Sequence, residues 1–194
     1  MILRPNIITR HTSFEVLSAY STAYIRVFST PISGTLAEIL TAWSAFETWF
    51  WKACHDSNLT NMRGTWRGNG TTFKASEIDE YGKEIFLPPS ATNIFRAYAE
   101  SAGVPAVVAS AEDNIRFIGT ASNPSVRPNR YQESWDAAKL GDVEGFVMGL
   151  AFPKLPGIAH VPGFFTANPR VYLAGVQHCL DVLRPDFDVY ERAP

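Results

Sequence analysis

The chain is poor in cysteine and histidine, has no long apolar run, and carries no excess of positive charge. Two cysteines, Cys54 and Cys179, in 194 residues are too few for a disulfide framework. One bridge between them would close a long loop, and free buried thiols are the expected state. The four histidines (His11, His55, His160, His178) lack ligand spacing such as HExxH, so neither a metal site nor a cofactor is expected. Lys and Arg number 17 against 19 Asp and Glu, and this balance gives no electrostatic case for nucleic-acid binding. No apolar stretch is long enough to span a membrane. The opening MILRPNIITR is interrupted by Pro5 and Asn6, with no apolar core or small-residue cleavage site after it. A Sec signal peptide is therefore not expected, and another route must carry the protein to any substrate outside the cytoplasm.

A hydrophobic fraction of 46% with 19% charged residues is that of a soluble globular protein, and the length fits one domain over 1–194. Thr12 with Glu15 forms a capping box ahead of an amphipathic helix to about Phe28. Pro31 and Gly34 break it. Thr35 with Glu38 reads as a second box, opening a helix that ends near Cys54. The segment 58–89 changes character: it is rich in Gly and Thr, and Asn69-Gly70 reads as a two-residue hairpin turn. Thr71 to Ile78 and Tyr81 to Leu87 read as strands, closed by Pro88-Pro89. Further helices are expected from Ser110, capped with Asp113, then over Tyr131–Leu140, Asp142–Leu150 and Asn168–Leu183. The last is entered through Pro169. A proline-rich loop, 152–163, precedes it. The expected class is mainly α (α+β): a lysozyme-like helical domain with a small inserted β-hairpin lobe, about 62–89, flanking a cleft.

On the second helix, Leu36, Leu40, Trp43, Glu47 and Phe50 follow the spacing of one face, joined by Ile39, Phe46 and Trp51. Glu47 puts a carboxylate where that pattern calls for an apolar side chain. Among indole and phenyl rings it loses hydration, which penalises its charged form and raises its pKa. A proton-holding acid near neutral pH is what cleavage of a glycosidic bond requires. A buried structural Glu, bonded to backbone or to an arginine, fits the same pattern.

The segment Ala42–Gly64, AWSAFETWFWKACHDSNLTNMRG, resembles the catalytic-helix signature of bacterial glucosaminidases of the flagellar and autolysin type, glycoside hydrolase family 73. Ala45, Phe46, Glu47 and Thr48 match its A-L-E-[ST]; Asn58, Leu59, Asn61, Met62 and Arg63 match its N-[LF]-x-[GN]-[IM]-[KR]. Phe95-Arg96-Ala97-Tyr98 is similar to the family's F-R-x-Y, Gly141–Phe146 to G-D-x-x-x-F, and Gly163–Pro169 with Tyr172 to G-Y-x-T-D-P-x-Y. The blocks run in family order from about Thr35 to Leu183. Position 60 holds Thr where Gly is common, and Phe164 and Phe165 stand where a reactive Tyr is usual. Tyr172 matches the later, packing Tyr, so a hydroxyl would come from elsewhere, such as Tyr98.

The resemblance implies a peptidoglycan hydrolase that cuts the β-1,4 glycan backbone as an N-acetylglucosaminidase. Muramidase or lytic transglycosylase activity of phage origin, and an inactive glycan-binding relative, are the alternatives. Glu47 would be the general acid and Glu77 the base that activates water, with Asp79, Glu80 and Glu84 as rivals. Substrate assistance by an acetamido group would need no second carboxylate. Trp49 and Trp66 are candidate sugar platforms, and Arg63 and Arg67 candidate partners for lactyl or peptide carboxylates. Asn61, Tyr98 and Phe165 complete the expected substrate contacts, while Asn58 is expected to fix the turn after the helix. The 152–163 loop is a candidate lid or partner surface. The expected setting is an antibacterial effector of a contact-dependent (type VI) secretion system, acting in the periplasm or cell wall of a target bacterium. Its expected partners are glycan strands and an immunity protein that plugs the cleft.

Overall fold

The computed structural model describes residues 2–78, 83–90, 93–120 and 129–192, excepting the side chains of 75–78, 84, 85, 87, 191 and 192. The first helix, α1 (Ser13–Phe28), opens on the expected capping box. The Glu15 N–H donates to the Thr12 hydroxyl, and the Thr12 N–H donates to the Glu15 carboxylate at 2.7 Å. The second, α2 (Gly34–Glu47), is capped by Ser33 rather than by Thr35 with Glu38. Ser33 keeps extended dihedrals just after Pro31, so its hydroxyl reaches the Leu36 N–H, and Thr35 is already helical.

Nor does α2 run to Cys54. It stops at Glu47, and Trp49, Phe50 and Trp51 adopt left-handed backbone, with φ of 50°, 52° and 59°. Buried Thr48 holds this reversal: its hydroxyl donates to the Ser44 carbonyl at 2.7 Å and accepts from the Trp51 N–H at 3.2 Å. The Phe50 N–H closes the turn on Ala45. The reversal turns Trp51 back into the core, where its indole N–H meets the Ser44 hydroxyl, and sends Trp49 outward.

Among the described residues four more helices complete the body: α3 (Ala106–Gly119), α4 (Gln132–Leu140), α5 (Val143–Ala151) and α6 (Pro169–Arg192). Trp43 of α2 lies in the centre of the core with Tyr20, Ile115, Phe146 and Leu150, and α2 packs against α1, α4 and α6. Two boundaries differ from expectation. α3 begins four residues before Ser110, which is interior, as is Asp113; their side chains face inward to other elements instead of capping. α6 continues past Leu183 and through Pro185, because buried Phe187 keeps its later turns packed.

Beside the body lies the β lobe. Strand β1 (Ile2–Leu3) pairs in parallel with β2 (Asn69–Thr71), which pairs antiparallel with β5 (Phe95–Arg96). A separate ribbon joins β3 (Ala75–Ile78) to β4 (Glu84–Leu87), with Glu77 opposite Ile85. The tight turn falls at Arg67-Gly68 (φ 47° and 83°), where Trp66 and Asn69 exchange both backbone bonds, and not at Asn69-Gly70. Gly70 serves a different end: a Cβ there would collide with Ile94 across the sheet. Cys54 and Cys179 are buried and unbridged. No helix among the described residues is long and apolar enough to cross a membrane. Helical body, β lobe and intervening groove make the fold lysozyme-like and α+β.

Candidate active site

Glu47 is the last residue of α2, and the break in handedness that follows leaves its carboxyl on a groove of about 960 Å³ between body and lobe. Tyr172, from the second turn of α6, donates its hydroxyl proton to Glu47 Oε1. One turn before Glu47, the Trp43 indole N–H donates to the Tyr172 oxygen at 2.8 Å. This order of donors aims the tyrosine O–H at the carboxylate. Tyr172 is held from both sides: Phe165 stacks on it at 3.7 Å with planes 6° apart, and Phe46 meets it edge-on at 4.7 Å. α6 comes close enough here that a Cβ on Gly175 would overlap the Phe46 ring.

The surroundings strip water from the carboxyl, and this desolvation pushes its pKa up to about 7 against the pull of the Tyr172 and Trp43 donors. The Tyr172 phenol is itself driven well above its ordinary range by burial and by the neighbouring carboxylate. No cation among the described residues forms an ion pair with Glu47. A carboxyl with one oxygen pinned and a pKa near neutrality is built to hold a proton and give it up.

The other expected residues separate into those on the groove and those away from it. Trp49, 70% exposed, and Asn61, Arg63 and Phe165 all line it. The Asn61 amide donates to the Glu47 carbonyl at 2.6 Å, tying the end of the helix to the lobe's first turn. Asn61 (φ 50°) takes the left-handed position, while Thr60 is buried with its hydroxyl on Asn114. Asn58 fixes the turn as expected, its amide spanning the Met62 and Arg96 carbonyls.

Tyr98 lies elsewhere. It is buried and donates to Asp113 Oδ2 at 2.5 Å, and Arg96 pairs with the same carboxylate. The hydroxyl on Glu47 comes instead from Tyr172, the residue the sequence reads as packing. Trp66 leans on Tyr98, with Arg67 over its outer face, and neither lines the groove. Glu77 sits in β3 and Glu84 opposite Ile78 in β4, with both side chains outside the described residues. Asp79 and Glu80 lie wholly outside them. Of the proline-rich segment, Gly163 alone reaches the groove.

Several further residues line the groove that were not expected substrate contacts. His55, Phe73 and Phe95 form a continuous stack, 3.7 and 4.2 Å between rings, along the lobe wall. Phe117, Arg130, Tyr131 and Phe164 line the body wall. Among the described residues no cluster of His, Cys, Asp and Glu could hold a metal.

Fold and groove together define an α+β protein of lysozyme-like architecture with an acidic residue at the helix end. A solved structure of that architecture is the catalytic domain of the autolysin Auto from Listeria monocytogenes. It matches over 91% of this chain and 86% of its own, with a TM-score of 0.51 and 16% identity. At that identity the likeness establishes a shared fold. No protein-family model matches the chain, and no curated protein does.

Proposed function

We propose that the protein is a peptidoglycan hydrolase in which Glu47 protonates the leaving glycosidic oxygen. The observation that carries this reading is the Trp43–Tyr172–Glu47 chain on an open groove, with the carboxyl pKa raised to about 7. Such a group keeps its proton in a large share of molecules near neutral pH and is still acidic enough to transfer it. The autolysin likeness supports a glycan of the bacterial wall as substrate. Exposed Trp49 and the His55–Phe73–Phe95 stack would offer flat apolar faces to sugar rings. The finer assignments are N-acetylglucosaminidase specificity, Glu77 as base, and an antibacterial effector role with an immunity protein seated in the groove.

Purified protein should solubilise peptidoglycan, and Glu47→Gln should lower the rate at least a thousandfold, on the order expected for a general acid, with an unchanged circular dichroism spectrum. Undiminished activity in that variant would end the proposal. Mass spectrometry of the fragments reads the bond: a reducing-end N-acetylglucosamine supports the finer assignment, whereas reducing or anhydro muramic acid replaces it. Lysis on periplasmic but not cytoplasmic expression in a Gram-negative host supports the effector role.

A further inference from the structure

Charge is sorted unevenly in this molecule. The chain as a whole carries a net charge of −2, yet among the described residues the ionisable lining of the groove is Glu47 against Arg63, Lys74, Arg96 and Arg130, with His55 beside them. Several basic side chains of the body and lobe have an acid to pair with. Arg26 and Arg116 share Glu112, Arg96 holds Asp113, Lys139 meets Asp136 and Lys154 meets Glu133. Arg130 and Lys74 have none among the described residues. Instead the Arg130 guanidinium lies over two rings, 5.7 Å from Phe117 and 4.9 Å from Tyr131, and Lys74 extends over Phe86 at 4.3 Å.

Stacking fixes a guanidinium's plane without occupying its in-plane N–H donors, which remain free for a carboxylate. The Arg130 backbone is also anchored, its carbonyl accepting from the Lys154 N–H at 3.2 Å. So the body wall presents a preorganised carboxylate fork and the lobe wall a second cation.

We infer that Arg130 is the specificity-determining residue for an anionic glycan, binding a carboxylate of the substrate bidentately, with Lys74 meeting another on the opposite wall. This rests on the groove being the glycan site proposed above. The carboxylate has two chemical sources, the lactyl ether of muramic acid and the stem peptide attached to it, and a neutral N-acetylglucosamine polymer has neither.

Equilibrium binding tests this without requiring turnover. Glu47→Gln protein, alone and combined with Arg130→Gln, Arg130→Lys or Lys74→Gln, would be titrated with three glycans of equal length: chito-oligosaccharide, amidase-stripped strands bearing lactyl carboxylates, and strands with intact stems. Arg130→Gln should weaken binding of an anionic glycan roughly tenfold or more, the scale of a charge-assisted bidentate bond. Chito-oligosaccharide affinity should stay within a factor of two. Arg130→Lys should recover part of the loss, and raising salt should erode the preference of the Glu47→Gln protein that keeps Arg130. A loss on stripped strands assigns the lactyl group, and a loss confined to intact strands assigns the stem. Equal losses on all three glycans, or none on either anionic one, would overturn the inference. Charge-selective binding together with a wild-type protein that cleaves none of the three glycans would leave it standing and remove the hydrolase reading instead.

Discussion

Tyr172 decides how acidic Glu47 is. Desolvation alone would lift the carboxyl further; the tyrosine O–H, oriented by Trp43, stabilises the anion and draws the pKa back to about 7. Tyr172→Phe removes that donor, so Glu47 should hold its proton to higher pH. The alkaline limb of kcat should then move up by roughly a unit, while kcat at pH 6 falls because the carboxyl is no longer pinned. A pH–rate profile of the two proteins checks both effects. The same shift has a stability consequence. The folded pKa, about 7, lies above the ordinary 4.5, so between those values the native state binds more protons than the unfolded one. Stability from this group is full below about pH 4.5 and is lost as pH rises towards 7. At most about 3 kcal/mol is involved, at 1.36 kcal/mol per unit. Glu47→Gln lacks this dependence, so urea unfolding should show it gaining on wild type between pH 5 and pH 8. A parallel pH dependence in the two proteins would contradict the burial of the charge.

At the scale of elements, the reversal after α2 is where the chain spends backbone energy to shape the groove. Three bulky residues in left-handed conformation are each disfavoured by about 1–2 kcal/mol. Trp49 is the one whose ring remains in solvent, so Trp49→Gly should relieve strain at little loss of packing. It should raise stability by about 1 kcal/mol and weaken glycan binding roughly three- to tenfold, the worth of one aromatic face. Thermal unfolding and binding, measured together, test this trade. The reversal also marks the limit of what pattern could reveal. The apolar period of α2 continues to Trp51, and nothing in TWFW announces a change of hand. Hence Glu47 was legible as an odd carboxylate on a helix face but not as the residue that ends the helix. The local capping box at Thr12 could be read directly, as could the helix starts at Asp142 and Pro169. Ser110 and Asp113 misled because they have the cap's chemistry but bond across the fold, to Leu59 and to Arg96 and Tyr98. Tyr172 reads as packing because it matches the later Tyr of the family pattern, and its partners, Trp43 and Glu47, lie over a hundred residues away.

For the molecule as a whole, the least legible feature is the first segment, which joins body and lobe before α1 begins. Ile2 and Arg4 donate to the carbonyls of Gly68 and Gly70, adding a parallel strand to the lobe. Further along, Thr9 donates to Cys54, Asp56 donates to Ile7, and the Asn6 carboxamide bonds the His55 ring, which itself stacks on Phe73 at the groove wall. A two-residue parallel strand with exposed Ile2 and Leu3 has no periodicity to read, and its partner is more than sixty residues away. The buried core lies in the helices, with which this segment shares little surface, so its removal should loosen the lobe and leave the body folded. Deleting residues 1–6 should therefore abolish hydrogen-exchange protection at the Gly70 and Thr71 amides, and raise KM by freeing the wall that carries His55 and Phe73. Protection in α2 and α5 should be unchanged, and so should the midpoint of thermal unfolding, to within a few degrees. Equal loss of protection in lobe and body would mean that the two unfold as one unit and that the groove has no independently movable wall.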